Sequence, residues 1–183
     1  RLARAEDAPG DTAWTRHATG TLAPGGAPVP FELRAWPPPG ATALATDGLY
    51  PRLAEAGLAY GAAFQGLRAA WSRGDELFAE VELPAAVAPD AERFALHPAL
   101  LDAALHALAA PGGLHDDSAV VLPFAFRGVS LRAVGASTLR VRFARVPAAG
   151  TVTLAVADAT GEPVAHIDAL VTRPASAAQL RGT

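Results

Sequence analysis

The chain is 183 residues long, 51% hydrophobic and 18% charged, which is enough apolar material for one domain with a substantial core. Its formal charge of −3 supplies no basic face for nucleic acid. The lack of cysteine excludes a disulfide framework and a thiolate zinc site and suits a reducing cytoplasm, and no apolar run reaches the roughly 20 residues that span a bilayer. The sequence opens on arginine and contains no methionine, so it is expected to be part of a longer polypeptide.

Residues 14–22 have strand-like composition, and residues 24–40 then place six prolines and three glycines in 17 positions. Proline lacks the N–H that helices and sheet ladders need, so this stretch reads as an extended linker. A helix is predicted over residues 47–56, capped by Thr46 or Asp47 and stopped by Gly57. Arg73-Gly74-Asp75 reads as a turn into a strand over residues 76–83, whose alternating apolar and acidic positions predict one wet face. The strongest helical signal covers residues 97–110, with Pro98 in the first turn and Pro111-Gly112-Gly113 past the end. Strands are predicted over 119–124, 126–134, 137–146, 151–158 and 163–172, with turns at 147–150 and 158–161. A strand, a long helix and then four or five antiparallel strands predict an α+β unit in which a curved antiparallel sheet wraps one helix.

That helix carries the chemistry. At about 100° per residue, Leu100, Leu101, Ala104, Leu105 and Leu108 form an apolar stripe. Asp102 and His106, at i and i+4, share the other side with Ala99, Ala103 and Ala109. Nothing else between Pro98 and Ala110 is polar. A helix apolar all round is normally buried, which places Asp102 where a charge is costly unless paired or protonated. Desolvation favours the neutral acid, and a cationic His106 would oppose this. An acid held neutral can hand its proton to a leaving hydroxyl. Two readings stand on spacing alone: a proton donor, or a pair that is solvated or merely satisfies itself.

With this helix in view, the chain resembles the dehydratase domains of modular polyketide synthases. Tyr60 to Leu67 (YGAAFQGL) is similar to the family's Y-G-P-x-F-Q-G-L signature, with alanine for proline. Leu96 to His106 (LHPALLDAALH) is similar to its acid motif, L-H-P-A-L-L-D-A-A-x-(H/Q). Leu122 to Val129 (LPFAFRGV) is similar to L-P-F-x-W-x-G-V, with Phe126 for tryptophan. The three blocks stand in the family's order. The resemblance implies the C-terminal hotdog of a double hotdog. Residues 1–23 would then end the preceding N-terminal hotdog, 24–45 link the halves, 46–174 form the second hotdog and 175–183 lead out.

The resemblance further implies that Asp102 protonates the departing β-hydroxyl of a β-hydroxyacyl thioester, giving the α,β-unsaturated product, and that His106 orients this acid. Tyr60, Gly61 and Phe64 would lie beside the acyl chain, and Leu122, Pro123 and Phe124 would line the same tunnel. No cofactor is implied; the substrate would arrive on the phosphopantetheine of an acyl carrier protein. Implied partners are the N-terminal hotdog, that carrier protein, other synthase domains and, in the parent, a second copy forming a homodimer.

The family's base is a histidine in H-x-x-x-G-x-x-x-x-P. None of His17, His97, His106, His115 and His166 has glycine four residues on, so this chain alone is expected to be inactive. His97 reads as a helix cap or a pocket residue, His17 and His166 as surface or satisfied residues, and His115 as part of a loop. A metal site built from His97, Asp102 and His106 is disfavoured because His97 lies off their face. No G-x-S-x-G elbow or phosphate-binding loop occurs. The alternatives are a non-catalytic scaffold or acyl-binding unit of a megasynthase, and a hotdog thioesterase whose carboxylate activates water. The block from Tyr60 to Leu67 and the linker disfavour the thioesterase.

Overall fold

The computed structural model describes residues 16–24, 30–114 and 120–175. In chain order the elements are β1 (Thr42–Leu44), α1 (Leu49–Glu55), β2 (Leu67–Arg73), β3 (Glu76–Glu82) and α2 (Pro98–Leu105), which runs on as a 3₁₀ turn over His106–Ala109. They are followed by β4 (Val120–Leu131), β5 (Thr138–Val146), β6 (Thr151–Ala157) and β7 (Pro163–Ala175). The seven strands form one antiparallel sheet in the order β1-β2-β3-β5-β6-β7-β4. One helix against this sheet is the layer arrangement expected.

The core follows from period-two alternation. Leu77, Ala79 and Val81 of β3, Leu139, Val141 and Phe143 of β5, and Leu154 and Val156 of β6 are fully buried and share one cluster with α2. On α2 the buried arc differs from the predicted stripe. Ala99, Leu100, Ala103, Ala104 and Ala107 are buried, whereas Leu101 and Leu105 are only partly so. Alanine lets the helix approach the sheet more closely than leucine would. Gly66 makes that approach closer still: a Cβ there would lie 2.7 Å from the Glu82 carbonyl oxygen and 3.1 Å from the Ala103 Cβ. The glycine of the Q-G-L block is therefore a packing requirement between β3 and α2.

Several local expectations change in three dimensions. Residues 16–24 are exposed, form no strand and pair with none of the described strands, since a strand persists only with a ladder partner. Residues 1–15 of the expected opening strand and its surroundings lie outside the described residues. Within the proline-rich stretch, the segment around residues 33–36 is strapped to the sheet rather than free. Trp36 donates Nε1–H to Glu80 Oε2 at 2.6 Å and meets the Trp71 and Phe78 rings edge-on at 5.4 and 6.2 Å. Arg140 donates to the Leu33 and Arg34 carbonyls and lies over the Trp36 ring, while Leu33 N–H donates to Gly161. Prolines forfeit donors, but their neighbours' carbonyls still accept and Trp36 still buries area. The outer face of β3 is consequently covered at Phe78 and Glu80, not wet throughout. Just past this stretch, Thr42–Leu44 form β1.

Gly48, not Thr46 or Asp47, holds the N-cap position of α1 without a side-chain cap; the Asp47 carbonyl accepts from Arg52 Nη1 instead. Gly57 follows the helix end as expected. β2 escapes the sequence reading, and Gly74-Asp75 turns it into β3. The two strands expected over 119–134 are one, β4, with an irregularity between Pro123 and Ala125. β4 is the sheet's edge, the position where a strand tolerates proline and a bulge. Gly128, at φ +60°, completes that motif for a structural reason: a Cβ would run into the Asp168 side chain of β7.

Candidate active site

His97 starts α2, and its Nδ1 accepts from Ala99 N–H at 3.2 Å, so the cap reading holds. Four residues after Pro98, Asp102 lies on the open arc with Leu101 and Leu105. Its side chain is 34% exposed. The expectation of a dry carboxyl is thus corrected. The helix is apolar all round, but only the alanine-rich arc faces the sheet.

His106 is the buried member of the pair, with only 4% of its side chain exposed. Its Nε2 lies 3.3 Å from Asp102 Oδ2, yet the ring is misaligned and Nε2 makes no hydrogen bond. The imidazole is packed by two phenols. Tyr60 lies against it with ring centres 4.0 Å apart, and Tyr50 meets it edge-on at 5.5 Å. Tyr50 Oη accepts from Leu67 N–H at 3.0 Å and lies 3.4 Å from His106 Nδ1. Tyr50 went unnoticed in the sequence because it belongs to no block and stands 56 residues from its partner.

The phenols feel both burial and the carboxylate. Burial pushes Tyr60 up from 10.0 to about 12, helped by the charge of Asp102 and by Tyr50. Burial also raises Tyr50, against the pull of the Leu67 N–H and Arg68. A phenol harder to ionise when folded stabilises the fold below pH 10 and loses that contribution as the pH climbs to about 12. Melting temperatures of the parent domain are therefore expected to fall across that window, and less steeply in Tyr60→Phe. Identical slopes for the two proteins would contradict this assignment.

The remaining predicted site residues divide. Gly61 is exposed and precedes the short 3₁₀ turn Ala62–Phe64, and Phe64 is exposed at its end. Gln65 Nε2 fixes this loop by donating to the Tyr60 carbonyl at 2.8 Å. Leu122, Pro123 and Phe124 lie on the edge strand β4, with Arg173 of β7 stacked 3.3 Å over the Phe124 ring. No hydrogen bond or ring contact among the described residues joins this group to the Tyr60–His106 cluster. His166 is satisfied by Asp168 at 3.2 Å, and His17 is exposed. His115 lies outside the described residues. Among the described residues no group of three acidic or histidine side chains is placed to hold a metal, and no helix is long and apolar enough to cross a membrane.

Known proteins share both sequence and architecture with this chain. Residues 28–182 match the family described as "Polyketide synthase dehydratase N-terminal domain". Polyketide synthase GfsA of Streptomyces halstedii is 55% identical over 171 residues, which is 91% of this chain and 2% of that protein. Pikromycin polyketide synthase component PikAII of Streptomyces venezuelae is 50% identical over 183 residues, 97% of this chain and 5% of that protein. A solved structure titled "Structural insights into dehydratase substrate selection for the borrelidin and fluvirucin polyketide synthases" is 46% identical with a TM-score of 0.75. It covers 83% of this chain and 53% of its own, so this chain spans about half of that solved dehydratase and a few per cent of the curated synthases. The helix wrapped by an antiparallel sheet is accordingly the hotdog fold of these dehydratases. The chain belongs to the polyketide synthase dehydratase family.

Proposed function

We propose that this chain is the C-terminal hotdog of a polyketide synthase dehydratase and supplies the acid of its active site. Asp102 gives its proton to the β-hydroxyl of a β-hydroxyacyl thioester, held on the phosphopantetheine of an acyl carrier protein. A histidine of the N-terminal hotdog removes the α-proton. The electron pair of the broken Cα–H bond forms the alkene as the Cβ–O bond breaks, and the oxygen leaves as water. His106 orients the acid, Tyr60 and the Gly61–Phe64 loop flank the acyl chain, and Leu122, Pro123 and Phe124 line its far wall.

The single supporting observation is a carboxylate with one face open and the other held against a buried imidazole. A structural carboxylate has no need of an open face, whereas an acid that must reach substrate oxygen does. The family's description names an N-terminal domain. Placement on the C-terminal side rests instead on the acid motif at Leu96 to His106, on the lack of the base motif, and on a span near half of a solved dehydratase. Residues 1–23 would then belong to the first hotdog, and 24–45 would cross between the halves along the sheet's outer face.

The test is reconstitution. The chain joined to the sequence that precedes it in the parent is expected to remove one water from a β-hydroxyacyl carrier protein, read by mass spectrometry. The chain alone is expected to remove none. A joined protein with an intact base motif and no turnover would overturn the lyase reading in favour of a non-catalytic scaffold.

A further inference from the structure

His106 has more around it than the acid it orients. Among the described residues its ring meets two hydrogen-bonding side chains: Asp102 beyond Nε2 at 3.3 Å and Tyr50 beyond Nδ1 at 3.4 Å. Tyr60 lies against its face and offers neither nitrogen a hydrogen bond. A neutral imidazole carries its proton on one nitrogen and accepts at the other. Which nitrogen holds it decides what Asp102 can do.

With the proton on Nε2, the histidine donates to Asp102 Oδ2. The acid's own proton then resides on Oδ1, away from the ring, where a substrate oxygen can take it. With the proton on Nδ1, Nε2 becomes an acceptor. It then draws the proton of Asp102 toward the histidine, and substrate receives none.

Tyr50 bears directly on this choice. A main-chain N–H can only donate, so the Leu67 N–H at 3.0 Å commits one lone pair of the phenol oxygen. The phenol's own O–H needs an acceptor in a half-buried setting, and among the hydrogen bonds of the described residues His106 Nδ1 is the acceptor that meets it. Were Nδ1 to carry the proton, the phenol would accept twice and its O–H would lose that partner. We propose that Tyr50 is a positioning residue that holds His106 as its Nε2–H tautomer, leaving the proton of Asp102 on the oxygen that faces substrate. This rests on the reading of Asp102 as the acid.

The test uses the intact dehydratase domain labelled with ¹⁵N at histidine, the His106 signals being assigned by their loss in His106→Gln. The wild-type ring is expected to be protonated at Nε2 and bare at Nδ1, a result that needs no variant to fold. Tyr50→Phe is expected to move the ring toward the other tautomer and to lower kcat about tenfold with KM little changed. In the His106→Gln background the amide donates without tautomer selection, so Tyr50→Phe is expected to cost less than about twofold there. A wild-type ring protonated at Nδ1, or equal kcat losses in both backgrounds, overturns the inference. The tautomer is read independently of turnover, so retained activity in Asp102→Asn would overturn only the acid assignment beneath it.

Discussion

Asp102→Asn in the intact parent domain is expected to lower the rate of dehydration by about 10²–10⁴-fold, the usual contribution of a positioned acid and worth about 3–5 kcal/mol. Asparagine has nearly the same shape and keeps an oxygen on the side of His106 Nε2. It cannot release a proton to the departing oxygen. The loss should therefore fall on kcat, with KM close to unchanged, because an interaction made only in the transition state has been removed. Stability should change little. The side chain is 34% exposed, and its partner Nε2 makes no hydrogen bond to lose. Thermal melts alongside single-turnover assays separate the two effects. Turnover within a few-fold of wild type would remove Asp102 from the mechanism; lost activity with a lowered melting temperature would assign it to structure.

The parts legible in the sequence are those governed by neighbours a few residues away. His97-Pro98 starts α2 and Pro111-Gly112 lies past its end because caps and breakers act within one turn. β5, β6 and β7 follow from alternation bounded by turn residues, and their register buries Val141, Leu154 and Ile167 as the pattern demands. β2 was hidden because its register shifts between Leu67 and Ala69, which blurs period two at its start. The exposure of Asp102 departs from the helical wheel for a different reason. A helical wheel ranks residues by angle, but which arc meets the sheet depends on size, and Gly66 opposite Ala103 favours the small arc. Proline content revealed what residues 24–40 could not form, but not that Trp36 would find Glu80, 44 residues on. Asp102 and His106 were visible because i,i+4 spacing is local, whereas the Tyr50 contact is made only by folding.

The chain in isolation is expected to self-associate through β4. Of the sheet's two edges, β1 has three residues and β4 has twelve. Short edges resist pairing; long ones invite it. On β4, Phe124, Phe126, Val129 and Leu131 remain 56%, 41%, 53% and 50% exposed, so the strand is uncovered on both faces. Covering four half-exposed side chains contributes roughly 1 kcal/mol each, and each new ladder bond about 0.5–1.5 kcal/mol. Against this stands an association cost of about 4–15 kcal/mol. Gain and cost are of similar size, so the association is expected to be weak and dependent on concentration. Sedimentation velocity at about 1 to 200 µM should therefore show weight-average mass rising with concentration. A charge in the middle of the patch, as in Phe126→Glu, should reduce it without unfolding the sheet, since Phe126 is 41% exposed. Joining the preceding half should suppress it as well, because that half would occupy the same edge. A monomer across the whole concentration range, unfolding in one cooperative step, would mean that β4 needs no cover and that no second hotdog docks there.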